Sequence, residues 1–219
     1  DRSAYVDTAT FFVRMVTQNA PIFFFILMGL SMTLLHASRL KRGYSEKQIT
    51  GYFLRRALLL IFWQFTVINL GWRLGEGGIS WRDITLASFF DIHPVSRYFG
   101  VLFALGSSMA LISILLRVNT KTLGGLALII IIAPMVYLAP LDYPQITTQL
   151  PSWIGPLAIP GKWPGLFVLY SVFPWVGLSM IGVLLARLLL ADPKKFEKLL
   201  LWVGLLAVGT FITITSIKW

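Results

Sequence analysis

Arg14, Gln18 and Asn19 are a guanidinium and two amides set in an otherwise apolar stretch, FFVRMVTQNAPIFFFILMGLSM, residues 11–32. Arg14 and Gln18 are four residues apart, so a helix places them on one face. Polar groups inside a long hydrophobic run are costly unless they pair or serve a site. Arg14 therefore either snorkels to a membrane interface or takes an ion-pair or functional role. Asp142 is either its ion partner or a general base. His93, in a loop before Pro94, is either polar surface or an acid–base group. His36 is the other of the two histidines. Neither histidine has the carboxylate or histidine spacing of a metal site, so no metal is expected. The absence of cysteine excludes thiolate nucleophiles and thiolate metal sites. No Gly-rich phosphate loop, GxSxG elbow or HExxH pair occurs, which leaves soluble hydrolase and nucleotide-binding mechanisms without support.

Long apolar elements must carry these groups. The 219 residues are 57% hydrophobic and 13% charged, where a soluble domain is nearer half apolar and a quarter charged. Several apolar runs approach the twenty residues that cross a hydrocarbon core of about 30 Å. The expected fold class is all-α, a polytopic transmembrane helix bundle of about six spans, over a single domain covering residues 1–219. Its first partner is the lipid bilayer. A net charge of +10 fits basic residues on one side of a membrane. Nucleic acid is not an expected partner, because no soluble segment interleaves basic residues with aromatics. No signal peptide is visible. The first residue is Asp, which suggests processing or a piece of a longer protein.

The spans are expected at residues 11–36, 57–72, 98–116, 123–138, 166–190 and 199–217. Pro21 either kinks the first or starts a new helical half. The carbonyl that Pro21 frees needs a partner, which Thr17, Gln18 or a neighbouring helix can supply. Ser45 followed by Gln48 fits a capping box, predicting a short amphipathic helix ahead of the second span. Residues 139–165 hold six prolines and cannot form a continuous helix. No internal repeat is present.

Charge sets the topology. The turns after spans one, three and five carry Arg39, Lys41, Arg42, Lys47, Arg55, Arg56, Arg117, Lys121, Arg187, Lys194, Lys195 and Lys198, against Glu46, Asp192 and Glu197. The positive-inside rule makes these turns cytoplasmic and puts both termini on the outer, periplasmic side. Arg14, Gln18 and Asn19 then lie in the outer half of span one. Asn69, Trp72 and Arg73 close span two at that side, Arg97 and Tyr98 open span three, and Asp142 follows span four. Tyr170, Pro174 and Trp175 occupy the outer part of span five. Spacing thus predicts a cavity open to the outside and capped by the Pro-rich loop. Arg73 and Arg97 serve equally as interfacial anchors, and Asn69 as a bond to a neighbouring helix. Most tryptophans fit an aromatic belt. Trp175 is set apart by a Pro-Trp pair within a span.

TQNAPIFFFILMGLSMTLL, a basic turn and FLRRALLLIFWQFTVINLGW, followed by ALGSSMALISILLR and VFPWVGLSMIGVLLARLLL, resemble in order the spans of a known family. These are the bacterial membrane acyltransferases related to heparan-α-glucosaminide N-acetyltransferase, within the wider transmembrane acyltransferase group. The likeness covers residues 11–205. It implies transfer of an acetyl group from acetyl-CoA, at the cytoplasmic side of a bacterial inner membrane, to a sugar-type acceptor outside. Acetyl-CoA is the one cofactor it implies, with its phosphates near the basic turns. Arg14 and Asn19 match motif-adjacent positions and would act as catalytic donors to the oxyanion, with Asp142 or His93 as base. Gln18, Asn69, Arg73 and Trp175 would hold the acceptor. The family also has an earlier span ending in a histidine often preceded by aspartate. That span is not in this sequence, so the resemblance implies a missing N-terminal helix and leaves the activity of the chain open. The alternative is a non-catalytic membrane subunit of a larger assembly, such as a pigment–protein complex; other membrane subunits or a second copy of the chain, as a homodimer, are the protein partners expected. A small-solute transporter fits the proline-broken spans, but lacks inverted repeats and buried acids.

Overall fold

A peptide group in hydrocarbon has no water to bond, so apolar runs of this length satisfy their N–H and C=O groups internally as helices. The computed structural model describes residues 8–75, 80, 82, 84–85, 97–138, 150–151 and 153–217. Helix α1 (Thr8–Lys41) runs through Pro21 as one element. Thr17 Oγ1 donates to Val13 O at 2.8 Å. Helix α2 (Glu46–Trp63) passes through one π turn (Gln64–Ile68) into α3 (Asn69–Gly75). The expected capping box is present: Ser45 Oγ accepts from Gln48 N at 3.3 Å, and Ser45 N donates to Gln48 Oε1 at 2.9 Å. It opens α2 itself, not a separate short helix. Helices α4 (Val101–Leu115) and α5 (Thr120–Leu138) follow, then a single turn, α6 (Gly155–Ala158). The last two are α7 (Val172–Ala191) and α8 (Pro193–Ile217).

The all-α expectation needs one correction. Strands β1 (Arg97–Phe99), β2 (Gly161–Trp163) and β3 (Leu166–Val168) form a small sheet in the order β1-β3-β2. β3 pairs parallel with β1 and antiparallel with β2. Residues 166–168 and 98–99, expected as helix, are therefore strand. Aromatic and β-branched residues suit them to a pleated surface. The helix that follows β3 starts at Val172, which puts Pro174 in its first turn, where a missing N–H leaves no bond unmade.

Helix α7 is the centre of the bundle. Its buried residues, among them Val172, Val176, Gly177, Ser179, Met180, Gly182, Val183 and Ala186, meet α1, α4 and α5. Phe25, Met28 and Met32 of α1, and Ile112 of α4, complete this core. Small residues set the spacing. Gly29 lies against the Ser179 carbonyl, and Gly182 against the Ile26 carbonyl, so α1 and α7 cross with backbones in contact. Gly106 of α4 fits against the Ala57 carbonyl and Ile61 of α2 in the same way.

The bundle is apolar outside as well as inside. Leu58, Ile114, Ile129 and Leu206 are each at least 60% exposed. Among the described residues, three helices are long and apolar enough to cross a membrane: residues 20–41, 46–75 and 172–191. Val101–Leu115 and Thr120–Pro134 are shorter apolar helices. Asp192 Oδ1 accepts from Lys195 N at 3.1 Å at the start of α8. That bond, and the Lys195 ammonium at 3.2 Å, hold the Asp192 carboxyl below its usual range.

One end of the bundle is tied by charge. His36 Nε2 and Glu46 Oε2 are 2.9 Å apart, and Arg117 Nε reaches the same oxygen at 3.6 Å. Arg117 also donates to Thr50 Oγ1 at 2.9 Å. Arg187 donates to Thr120 Oγ1 at 3.1 Å and to Leu116 O at 2.8 Å. Four segments are joined there. Glu46→Gln is expected to cost about 1 kcal/mol, because the pair is half exposed, and to lower the midpoint of thermal unfolding in detergent by a few degrees. An unchanged midpoint would remove the tie from the account.

Candidate functional site

The opposite end of the bundle holds a buried pair of amides, Gln64 and Asn69. The sequence LIFWQFTVINLGW places Gln64 and Asn69 five residues apart. An α-helix does not align that spacing on one face, but a π turn does, and the Asn69 backbone N–H donates to Gln64 O. The widened turn brings both amides toward β1. Gln64 is fully buried, and its Nε2 donates to Tyr98 O at 3.1 Å and to Asn69 Oδ1 at 3.3 Å. Turning the Asn69 amide over lets its nitrogen donate to Tyr98 O at 3.1 Å and to Gln64 O at 3.3 Å instead. Gln64 Oε1 has no partner among the described residues and faces Gly100, the residue that opens α4. A buried amide acceptor with no donor costs about 1–3 kcal/mol. Single π turns of this kind recur at functional sites.

Aromatic rings wall this cluster. Trp72 stacks on Tyr98 at 5.2 Å, and Phe167 of β3 meets the same ring edge-on at 5.7 Å. Phe99 O accepts from Leu169 N at 3.0 Å and from Tyr170 N at 3.1 Å, which stitches β1 to the approach of α7. Tyr170 lies 5.2 Å from Trp175, and Trp175 stacks on Phe25 of α1 at 4.8 Å. One continuous chain of contacts thus links Asn69 and Gln64, through the sheet, to Trp175. Trp175→Phe keeps a ring but loses part of the stacking, and is expected to cost about 1 kcal/mol. Unfolding in a graded denaturant series reads this; a cost of zero would mean that Phe25 and Tyr170 do not depend on the indole.

Asn69 and Trp175 thus come to one end of the fold, as expected. Asn69 pairs with Gln64 across the π turn and, with its amide turned over, with Tyr98 O of β1, rather than with a neighbouring helix. Arg73 lies half-buried on α3. Arg14, Gln18 and Asn19 lie on α1, but their side chains are outside the described residues, as are Asp142, His93 and the side chain of Arg97. Sequence reasoning passed over Gln64. The signal was a second amide, five residues before Asn69, in a run otherwise read as plain helix. No group of three or more metal-binding side chains occurs among the described residues.

Apolar helices that leave large hydrophobic side chains on the outside, around a buried polar cluster at one end, define a membrane protein. The family model described as heparan-alpha-glucosaminide N-acetyltransferase, catalytic, matches residues 2–216, and the chain belongs to that family. No curated protein and no solved structure matches it.

Proposed function

We propose that the chain carries out acyl transfer across a membrane, from acetyl-CoA to a sugar-type acceptor. The family match over residues 2–216 supports the reaction class. The observation that carries the site is the enclosed Gln64–Asn69–Tyr98 cluster at the end opposite the basic turns. In this reading six spans cross a bacterial inner membrane, with both termini outside and the turns bearing Arg39, Arg117 and Lys194 in the cytoplasm. The basic turns meet the CoA phosphates, and the thioester reaches inward.

An acceptor hydroxyl or amine attacks the acetyl carbonyl while a base takes its proton. The tetrahedral oxyanion collapses, the C–S bond breaks, and the CoA thiolate leaves with a proton. Arg14 and Asn19 donate to the oxyanion. Gln18, Asn69, Arg73 and Trp175 orient the acceptor. The base is Asp142 or His93.

The test is label transfer from radiolabelled acetyl-CoA by the full-length protein in proteoliposomes with a mixed sugar pool. Labelled sugar is expected, and Arg14→Ala should reduce its formation roughly a hundredfold or more. A folded preparation that transfers nothing would overturn the reading. One observation favours the alternative of a subunit in a larger membrane assembly: α8 leaves Leu200, Leu201, Leu205, Leu206 and Val208 exposed. Stoichiometric co-purification with a second membrane protein would support that reading, and a clean monomer or homodimer would count against it.

A further inference from the structure

Arg39 and Arg56 share one tyrosine. The Arg39 guanidinium sits 3.7 Å from the centre of the Tyr52 ring, and that of Arg56 sits 5.1 Å from it. Arg39 also lies 5.8 Å from the Tyr44 ring. The two cations are therefore held within about 10 Å of each other, a distance over which ordinary salt does not screen their repulsion fully. Neither has a carboxylate partner among the described residues, and the nearest acid in sequence, Glu46, is already engaged by His36 and Arg117. Cation–π contacts orient the guanidiniums but leave their charge uncancelled. Two oriented forks around one ring fit a shared anion whose oxygens accept from both, and phosphate has the geometry for it.

What runs away from this pair identifies the anion. Tyr52, Arg56, Leu59 and Trp63 fall on one face of α2 by helical spacing. Leu59 is 53% exposed and Trp63 45%. That face is basic at one end and apolar along the rest of its length. Helix α1 packs chiefly on α7, and α2 chiefly on α4, so α1 and α2 touch each other little beyond their shared turn. A nucleotide has no use for an exposed apolar stripe below its phosphate, whereas a phospholipid places its acyl chain there. We infer that the α1–α2 elbow is a binding site for an anionic glycerophospholipid, with its headgroup phosphate between Arg39 and Arg56 and an acyl chain along Leu59 and Trp63.

The experiment is native mass spectrometry of the full-length protein released from micelles containing equimolar phosphatidylglycerol and phosphatidylcholine. Wild type should retain phosphatidylglycerol at least tenfold over phosphatidylcholine. The double variant Arg39→Gln/Arg56→Gln should lose at least fivefold of that preference, and Lys194→Gln/Lys195→Gln, on another basic turn, should keep it. Equal losses in both variants, or none in the first, would overturn the site in favour of general surface charge. Thermal midpoints separate the sources of phosphate: phosphatidylglycerol should raise the wild-type midpoint and leave the double variant unmoved. An equal rise with inorganic phosphate, or a rise with coenzyme A that Arg39→Gln/Arg56→Gln abolishes, would overturn the lipid assignment. Tyr52→Leu, which removes the ring and spares both charges, should lose the preference as well. It decides the matter if the double variant does not fold, because full retention would then refute the stacked geometry.

Discussion

Gly182→Ala is expected to destabilise the bundle by about 3 kcal/mol and to lower its thermal midpoint in detergent by about 10 °C. A Cβ at this position would overlap the Ile26 carbonyl, and one at Gly29 would overlap the Ser179 carbonyl. The atoms in the way are backbone, so no rotamer change relieves the overlap. Helices α1 and α7 would have to separate, and α7 is also the partner of α4 and α5. Between membrane helices, close packing holds the contact, because lipid offers no hydrophobic penalty for separation. Gly29→Ala should behave alike. The comparison is Gly204→Ala and Gly209→Ala on α8, where nothing lies within 4 Å of the new methyl. There the better helix propensity of alanine should leave stability unchanged or slightly raised. If all four variants fell equally, the α1–α7 crossing would not be what holds the fold.

The helices were legible because their signal is local. Apolar runs, the Ser45–Gln48 capping box and the proline positions are all set by neighbouring residues. The strands were not. β1 and β3 are three residues each and pair between residues 97–99 and 166–168, so no periodicity in either announces the partner. Pro174 is ambiguous in sequence for a related reason: a proline inside an apolar run looks like an interruption, until the strand before it shows that the helix starts two residues earlier. At the site, the sequence picked out Asn69 and Trp175 as polar or Pro-flanked residues near span ends, and the structure joins them through the sheet. Gln64 was invisible to an argument built on α-helical faces. Its partner lies at i+5, and only a π turn makes that spacing a contact.

Gln64→Leu is therefore expected to act on chemistry more than on folding. Leucine nearly matches the volume and removes the orphaned Oε1 acceptor, which relieves a cost. It also strips Asn69 Oδ1 of its donor and leaves Tyr98 O to the turned-over Asn69 amide alone, which imposes one of about 1–3 kcal/mol. The two effects nearly cancel in stability. They do not cancel in position: without the Gln64 amide the π turn loses its hydrogen bond to β1, and Tyr98, on which Trp72 stacks, is held by Asn69 alone. A shift of about 1 Å in a positioning group can cost a hundredfold in rate. Transfer from acetyl-CoA should thus fall roughly a hundredfold, with the unfolding midpoint within a few degrees of wild type. Gly100→Ala supplies an independent check. Its Cβ would lie 2.7 Å from Gln64 Oε1 and 3.0 Å from Nε2, so the amide must swing away while its atoms all remain. If Gly100→Ala reproduces the loss of Gln64→Leu, the placement of the amide is what matters. If Gly100→Ala transfers at the wild-type rate while Gln64→Leu does not, the Gln64 amide acts through contacts other than those it makes with Tyr98 and Asn69.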